Sequence, residues 1–178
     1  MRTHKKHSIL GLMVIAFIAL TSCSKIKDAI QADVDIPAGT INIDIPKIET
    51  TGEQKIAGTD NISAIDLSSY SGIKSVTLKS IKVELKEQNP DVNFKVLEKL
   101  SVEISSAGLE SKVLASVTNT DYSTNKYSID IPVTGGNINI QDFVKNTFSY
   151  TIKGKAHSTT NTPMPAKLTA VYTVKFGL

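Results

Sequence analysis

Two side chains in this sequence are reactive near neutral pH and scarce enough to constrain its chemistry: Cys23, the only cysteine, and His157, the only histidine beyond His7. A Ser-His-Asp or Cys-His nucleophile needs an imidazole to carry the proton, so any such system here has to use His157. That residue stands in Gly154-Lys155-Ala156-His157-Ser158, at a strand end, and the chain holds no Gly-x-Ser-x-Gly elbow. It reads as a loop histidine. One thiol makes no internal disulfide, so the fold has to hold by packing alone, and no set of zinc ligands stands at workable spacing. Asp33, Asp35 and Asp44 are hard oxygen donors close in sequence, but their spacing is not that of a calcium loop, and Asp33 and Asp35 at alternate strand positions face water together. Glu84 with Asp130 is one of many carboxylate pairs, and sequence does not set the separation that glycoside hydrolysis requires. The expectation is a protein without a catalytic set, a metal or a cofactor, with a hydrolase as the least supported alternative.

Aromatic side chains are the remaining route to recognition. Trp is absent. Tyr70 and Tyr122 fall in turn contexts and are the candidate ligand contacts, whereas Tyr150 and Tyr172 fall on positions expected to point inward.

The N-terminus is organised differently from everything after it. Arg2, Lys5 and Lys6 precede an uncharged apolar run, Ile9 to Leu20, the layout of a secretory signal. About 12 residues at 1.5 Å each cover roughly 18 Å, too little for a bilayer core of roughly 30 Å.

Directly after this run, Leu20, Thr21, Ser22 and Cys23 resemble, position for position, the lipobox of bacterial lipoproteins. The resemblance implies cleavage between Ser22 and Cys23, a diacylglycerol thioether on the cysteine, and a third acyl chain on the new amine. Two chains of about 16 carbons, at roughly 0.8 kcal/mol per buried methylene, give on the order of 20 kcal/mol, so such a protein would stay on its membrane. Ser24 rather than aspartate after the cysteine implies an outer-membrane address.

Removing residues 1 to 22 takes away Arg2, Lys5 and Lys6, so 20 basic residues become 17 against 17 acidic ones. A neutral remainder without arginine has no footprint for a phosphate backbone, and nucleic-acid binding is not expected. The remainder is also long enough for one self-sufficient core.

From Asp33 the periodicity is two. Ile41, Ile43 and Ile45 alternate with Asn42 and Asp44, and Pro37-Ala38-Gly39 and Pro46 punctuate the run as at edge strands and turns. Residues 47 to 61 read as a loop with at most a short strand. Val76 and Leu78 alternate in one phase and Ile81, Val83 and Leu85 in the other, which predicts a bulge or bend at Lys79-Ser80. Phe94, Leu97 and Leu100, three apart, predict one helical turn before Leu100, Val102 and Ile104 resume alternation. Tyr127 to Val133, Phe148 to Ile152 and Leu168 to Phe176 continue the pattern, and Gln141 to Asn146 reads as a short helix with Phe143 and Val144 inward. About eight strands with little helix predict an all-β antiparallel sandwich, with a lipocalin-like barrel as the alternative. The expected organisation is a signal over 1–22, a lipid-anchored tether over 23–35 and the sandwich over 36–178.

The runs Val34 to Pro37, Ile73 to Ile81 and Leu97 to Ser105, with the aromatic alternation near the end, are similar to small β-sandwich lipoproteins of gut-type Gram-negative bacteria. That resemblance implies no particular activity. The expected role is a structural or interaction module at the outer membrane, held through lipid on Cys23 and facing an envelope protein or glycan. A binding protein for a small apolar or carbohydrate ligand is the alternative. Candidate contact loops are Thr50 to Asn61, Thr118 to Asn125 and Ser158 to Pro165, since loops vary freely on a rigid frame.

Overall fold

Strict alternation of Ile, Val, Leu and aromatic residues with polar ones gives each segment one face that has to leave water and one that does not, and two such surfaces satisfy each other by stacking. The computed structural model describes residues 31–59, 62–65, 67, 72–134 and 138–177, so Cys23, Tyr70 and residues 23–30 of the expected tether lie outside the described residues. The strands are β1 (Gln31–Ile45), β2 (Glu53–Gly58), β3 (Ile73–Leu85), β4 (Leu97–Ser106), β5 (Lys112–Thr118), β6 (Ser128–Ile131), β7 (Phe148–Ala156) and β8 (Met164–Gly177). A 3₁₀ turn, Phe94–Val96, and a one-turn helix α1, Gln141–Val144, complete the elements. Among the described residues no helix is long and apolar enough to cross a membrane.

The strands form two four-stranded sheets, ordered β1-β8-β3-β6 and β2-β7-β4-β5, and every ladder is antiparallel. The sandwich is therefore the fold. The barrel alternative is set aside because the two sheets keep separate ladders. One seam is stitched over a short distance, where the chain leaving β6 crosses to β5: Ser116 donates to the Pro132 carbonyl at 3.0 Å, and Thr134 to that of Leu114 at 2.8 Å.

Register shifts keep the apolar faces inward. In β3 the shift against β8 falls between Leu78 and Ser80, at the predicted Lys79-Ser80 step, so Val76, Leu78, Ile81 and Val83 are all buried. In β1, Ala38 and Gly39 interrupt the ladder between the Pro37–Val171 and Thr40–Thr169 pairs, so Pro37-Ala38-Gly39 forms a bulge inside one long edge strand rather than a turn. Gly39 takes φ +81°, a conformation that only glycine adopts without strain. The strand also starts earlier than the expected domain boundary. Gln31 to Asp35 already pair with Gly177 to Thr173, so the last five residues of the expected tether belong to the sheet.

Gly154 in β7 faces inward where β4 bulges between Leu97 and Lys99; a Cβ there would lie 2.5 Å from the Lys99 carbonyl oxygen. At the middle of the core, Tyr150 of β7 and Tyr172 of β8 meet hydroxyl to hydroxyl, a hydrogen bond joining the two sheets. Burial, with the Tyr172 oxygen beside it, pushes Tyr150 well above the ordinary tyrosine range, and burial pushes Tyr172 up to about 12.

Antiparallel up-and-down order sorts the connections to two ends. One end, here the crown, carries residues 46–52, 86–96, 119–127 and 157–163; the other, the base, carries the described residues 59, 62–65, 67, 72, 107–111, 132–134 and 138–147 together with the start of β1 and the end of β8. Fifteen residues of β1 at about 3.3 Å each put these ends roughly 45 Å apart.

Candidate functional site at the crown

A loop presents a defined surface only if its backbone polar groups find partners, and at the crown buried polar side chains supply them. Thr160 is 5% exposed and ties two connections together: its hydroxyl accepts from the Ile48 amide at 2.9 Å, and its own amide donates to the Ile48 carbonyl at 2.9 Å. Asn93 is 1% exposed; its amide nitrogen donates to the Pro90 carbonyl at 2.6 Å and to Asn125 Oδ1 at 3.3 Å, while its oxygen accepts from the Lys95 amide at 3.1 Å. Asn119 is 8% exposed and donates to the Leu97 carbonyl at 3.0 Å. Its oxygen accepts from the Asp121 amide at 3.2 Å and from the Lys126 ammonium. Asparagine suits these places because a short arm carries both donors and an acceptor. Among the described residues no buried side-chain nitrogen or oxygen lacks a partner.

Within the 119–127 connection, Asp121 closes a turn on itself. Its carboxylate accepts from the Ser123 hydroxyl at 2.7 Å, the Ser123 amide at 2.9 Å and the Thr124 amide at 3.3 Å. These donors, the Ser123 hydroxyl foremost, hold its carboxyl well below the usual range.

The turn delivers Tyr122 onto His157. The two rings stack with centroids 3.9 Å apart and planes 10° from parallel. His157 is set by its own backbone, whose amide donates to the Val96 carbonyl at 2.7 Å. Nearby, Lys155 donates to Glu98 at 2.9 Å, and that bond raises the lysine above its ordinary range.

Beside this stack the seam between the sheets opens where β5 and β6 diverge. The resulting cleft, about 300 Å³, is lined by Leu97, Leu100, Val117 and Ile129, with Glu98, Lys99, Thr118, Asn119, Lys126, Ser128 and Asp130 around them. Two further hollows of about 420 and 510 Å³ also lie at the crown, between residues 85–95 and 161–165. The Ser158 to Pro165 loop is shorter than expected: Met164 opens β8 and is buried, and Thr160 points inward. Thr50 to Asn61 likewise contains β2.

The other sequence candidates are dispersed. Tyr70, the expected companion of Tyr122, lies outside the described residues, and His157 is the ring that Tyr122 meets. Asp33 and Asp35 sit on β1 towards the base, while Asp44 is nine residues beyond Asp35, roughly 30 Å along the strand. Asp35 is engaged by the Lys79 ammonium and by the Thr173 hydroxyl at 2.9 Å, and Lys79 chiefly draws its carboxyl below the usual range. Glu84 and Asp130 flank Lys82, which donates to Glu84 at 3.0 Å and pairs with Asp130 across the ladder. That is a charged strand surface, not a carboxylate pair around an opening. Among the described residues no three His, Cys, Asp or Glu side chains gather as a metal site.

No protein-family model matches the chain, and no curated protein is significantly similar to it. Among solved structures, a chain of Desmodium yellow mottle tymovirus is similar at 14% identity, over 84% of this chain and 90% of that one, with a TM-score of 0.30. A likeness that slight carries no argument.

Proposed function

We propose that this chain is a non-enzymatic lipoprotein of the cell envelope, cut before Cys23, acylated there, held at the outer membrane, and presenting the crown to a partner in the envelope. One observation supports this reading above the others: the sandwich is polar in its layout, with β1 starting at the base and the pinned connections at the opposite end. Seven residues separate Cys23 from Gln31, and the eight steps between them reach at most roughly 28 Å, so a lipid on Cys23 keeps the base close to the bilayer and leaves the crown facing away.

The crown suits contact rather than catalysis, since its imidazole is stacked on Tyr122 and Glu98, one of the two carboxylates lining the cleft, is bonded to Lys155. A carrier with an interior cavity is the weaker reading, because Tyr150 and Tyr172 fill the centre of the core and the three hollows described lie at the crown surface. Metabolic labelling with a palmitate analogue tests the anchor. The wild-type chain takes up label and sediments with membranes, and Cys23→Ala does neither; an unlabelled wild-type chain with Met1 intact contradicts the reading.

A further inference from the structure

The cleft between β5 and β6 joins an apolar floor to a rim whose charges cancel. Leu97, Leu100 and Ile129 form the floor; Glu98 and Asp130 stand against Lys99 and Lys126 around it. A phosphate or carboxylate ligand requires an excess of positive charge, and this rim has none. Glu98 is held by Lys155 and Lys126 by Asn119, but an acyl chain or apolar side chain entering here would still strip water from the Asp130 carboxylate and give it nothing in return. A neutral ring with C–H bonds on one face and hydroxyls around its edge meets both demands, because the hydroxyls donate to the carboxylates and accept from the ammoniums.

We infer that this cleft binds a neutral glycan, with a volume for roughly one or two pyranose rings. The assignment rests on the proposal that the crown is the presenting face, and it names the chemical class that the face takes. Asp130 is exposed and accepts hydroxyl hydrogens at the rim. Lys126 donates from the other side, held by one of its protons on Asn119 Oδ1. Asn119 is a positioning residue: it fixes Lys126 and the Leu97 carbonyl and so sets the width of the mouth. Because Asn119 and Lys126 are already bonded in place, little ordering entropy is lost there on ligand entry.

The test uses the full chain in lipid nanodiscs, titrated with cellobiose, maltose and N,N′-diacetylchitobiose as neutral probes and with inorganic phosphate and glucuronate as charged ones. Saturable binding of at least one neutral disaccharide is expected, about tenfold weaker in Asp130→Ala and in Asp130→Asn, and unchanged in Asp91→Ala at the neighbouring hollow. Thermal melts of the same variants check that each stays folded. Saturation by none of the three sugars overturns the assignment, as does binding that survives both Asp130 variants, or phosphate or glucuronate binding as tightly. Cys23→Ala separates the two proposals: it keeps sugar binding whether or not the anchor reading holds, whereas membrane association is read from labelling alone.

Discussion

The two ends of the sandwich are built from different materials. At the crown, Asn93, Asn119 and Thr160 are buried; Asn93 and Thr160 each tie one connection to another and Asn119 ties its connection to the start of β4, so loop shape is fixed by side-chain hydrogen bonds. At the base, apolar residues such as Ile140, Phe143 and Val144 fill the gap between the sheets. There Asn139, which accepts from the Val76 and Gln141 amides at 3.1 and 3.0 Å, does its pinning from an exposed position. Burying an amide costs free energy unless every bond is made, so a chain that needed only to close its loops had a cheaper solution available at both ends. Among the described residues the buried asparagines stand at the crown, which marks that end as the surface whose shape matters.

This contrast yields graded expectations. The largest effect is at the frame that carries the crown: Gly154→Ala places a methyl against the Lys99 carbonyl and costs about 3 kcal/mol in a denaturant titration. Next come the buried pins. Asn119→Ala strands the Leu97 carbonyl and the Asp121 amide and costs about 2 kcal/mol, and Thr160→Val, nearly isosteric, costs about 1.5 kcal/mol. Asn139→Ala at the base exposes its partners to water instead and costs about 0.5 kcal/mol. If Asn139→Ala is as damaging as Asn119→Ala, the distinction between the ends fails.

The tyrosine pair between the ends gives a pH signature. Both folded values are raised above the ordinary 10.0, so the contribution of the pair is complete below pH 10 and is lost as pH rises towards about 12. The stability of the wild-type chain minus that of Tyr150→Phe/Tyr172→Phe therefore stays flat from pH 8 to 10 and then falls, while lysine titration, common to both, cancels. A difference that stays flat through pH 12 removes the buried hydroxyl bridge.

Much of the frame is legible from residue order because alternation is a local property. The phase change between Leu78 and Ile81 places a bulge at Lys79-Ser80, and Phe143 and Val144 point inward from the expected short helix. The 3₁₀ turn is also visible in the Phe94, Leu97, Leu100 spacing, although it spans only Phe94–Val96 and the step to Leu100 is a bulge in β4. β2 is obscured because Glu53 and Lys55 face outward on an edge strand and the residue between them is the polar, half-buried Gln54, leaving only Ile56 and Ala57 buried. The crown site is harder still. Asn93, Asn119 and Thr160 sit in stretches whose composition marks them as loop, and nothing local says that an asparagine in such a stretch is buried. Tyr122 stands out as an exposed-type aromatic, but its partner is 35 positions away in a connection that only the sheet order brings alongside.

The orientation of these two ends against a bilayer is the claim on which the functional account turns. Cys23 is the only native thiol and is blocked once acylated, so a fluorophore attaches uniquely to Ser123→Cys at the crown or to Glu110→Cys at the base of the full chain in liposomes. Lipids carrying a nitroxide on the headgroup quench the Glu110→Cys label strongly and the Ser123→Cys label little if the account holds. Equal quenching at both positions, stronger quenching at Ser123→Cys, or labelling of the wild-type chain at Cys23 contradicts it.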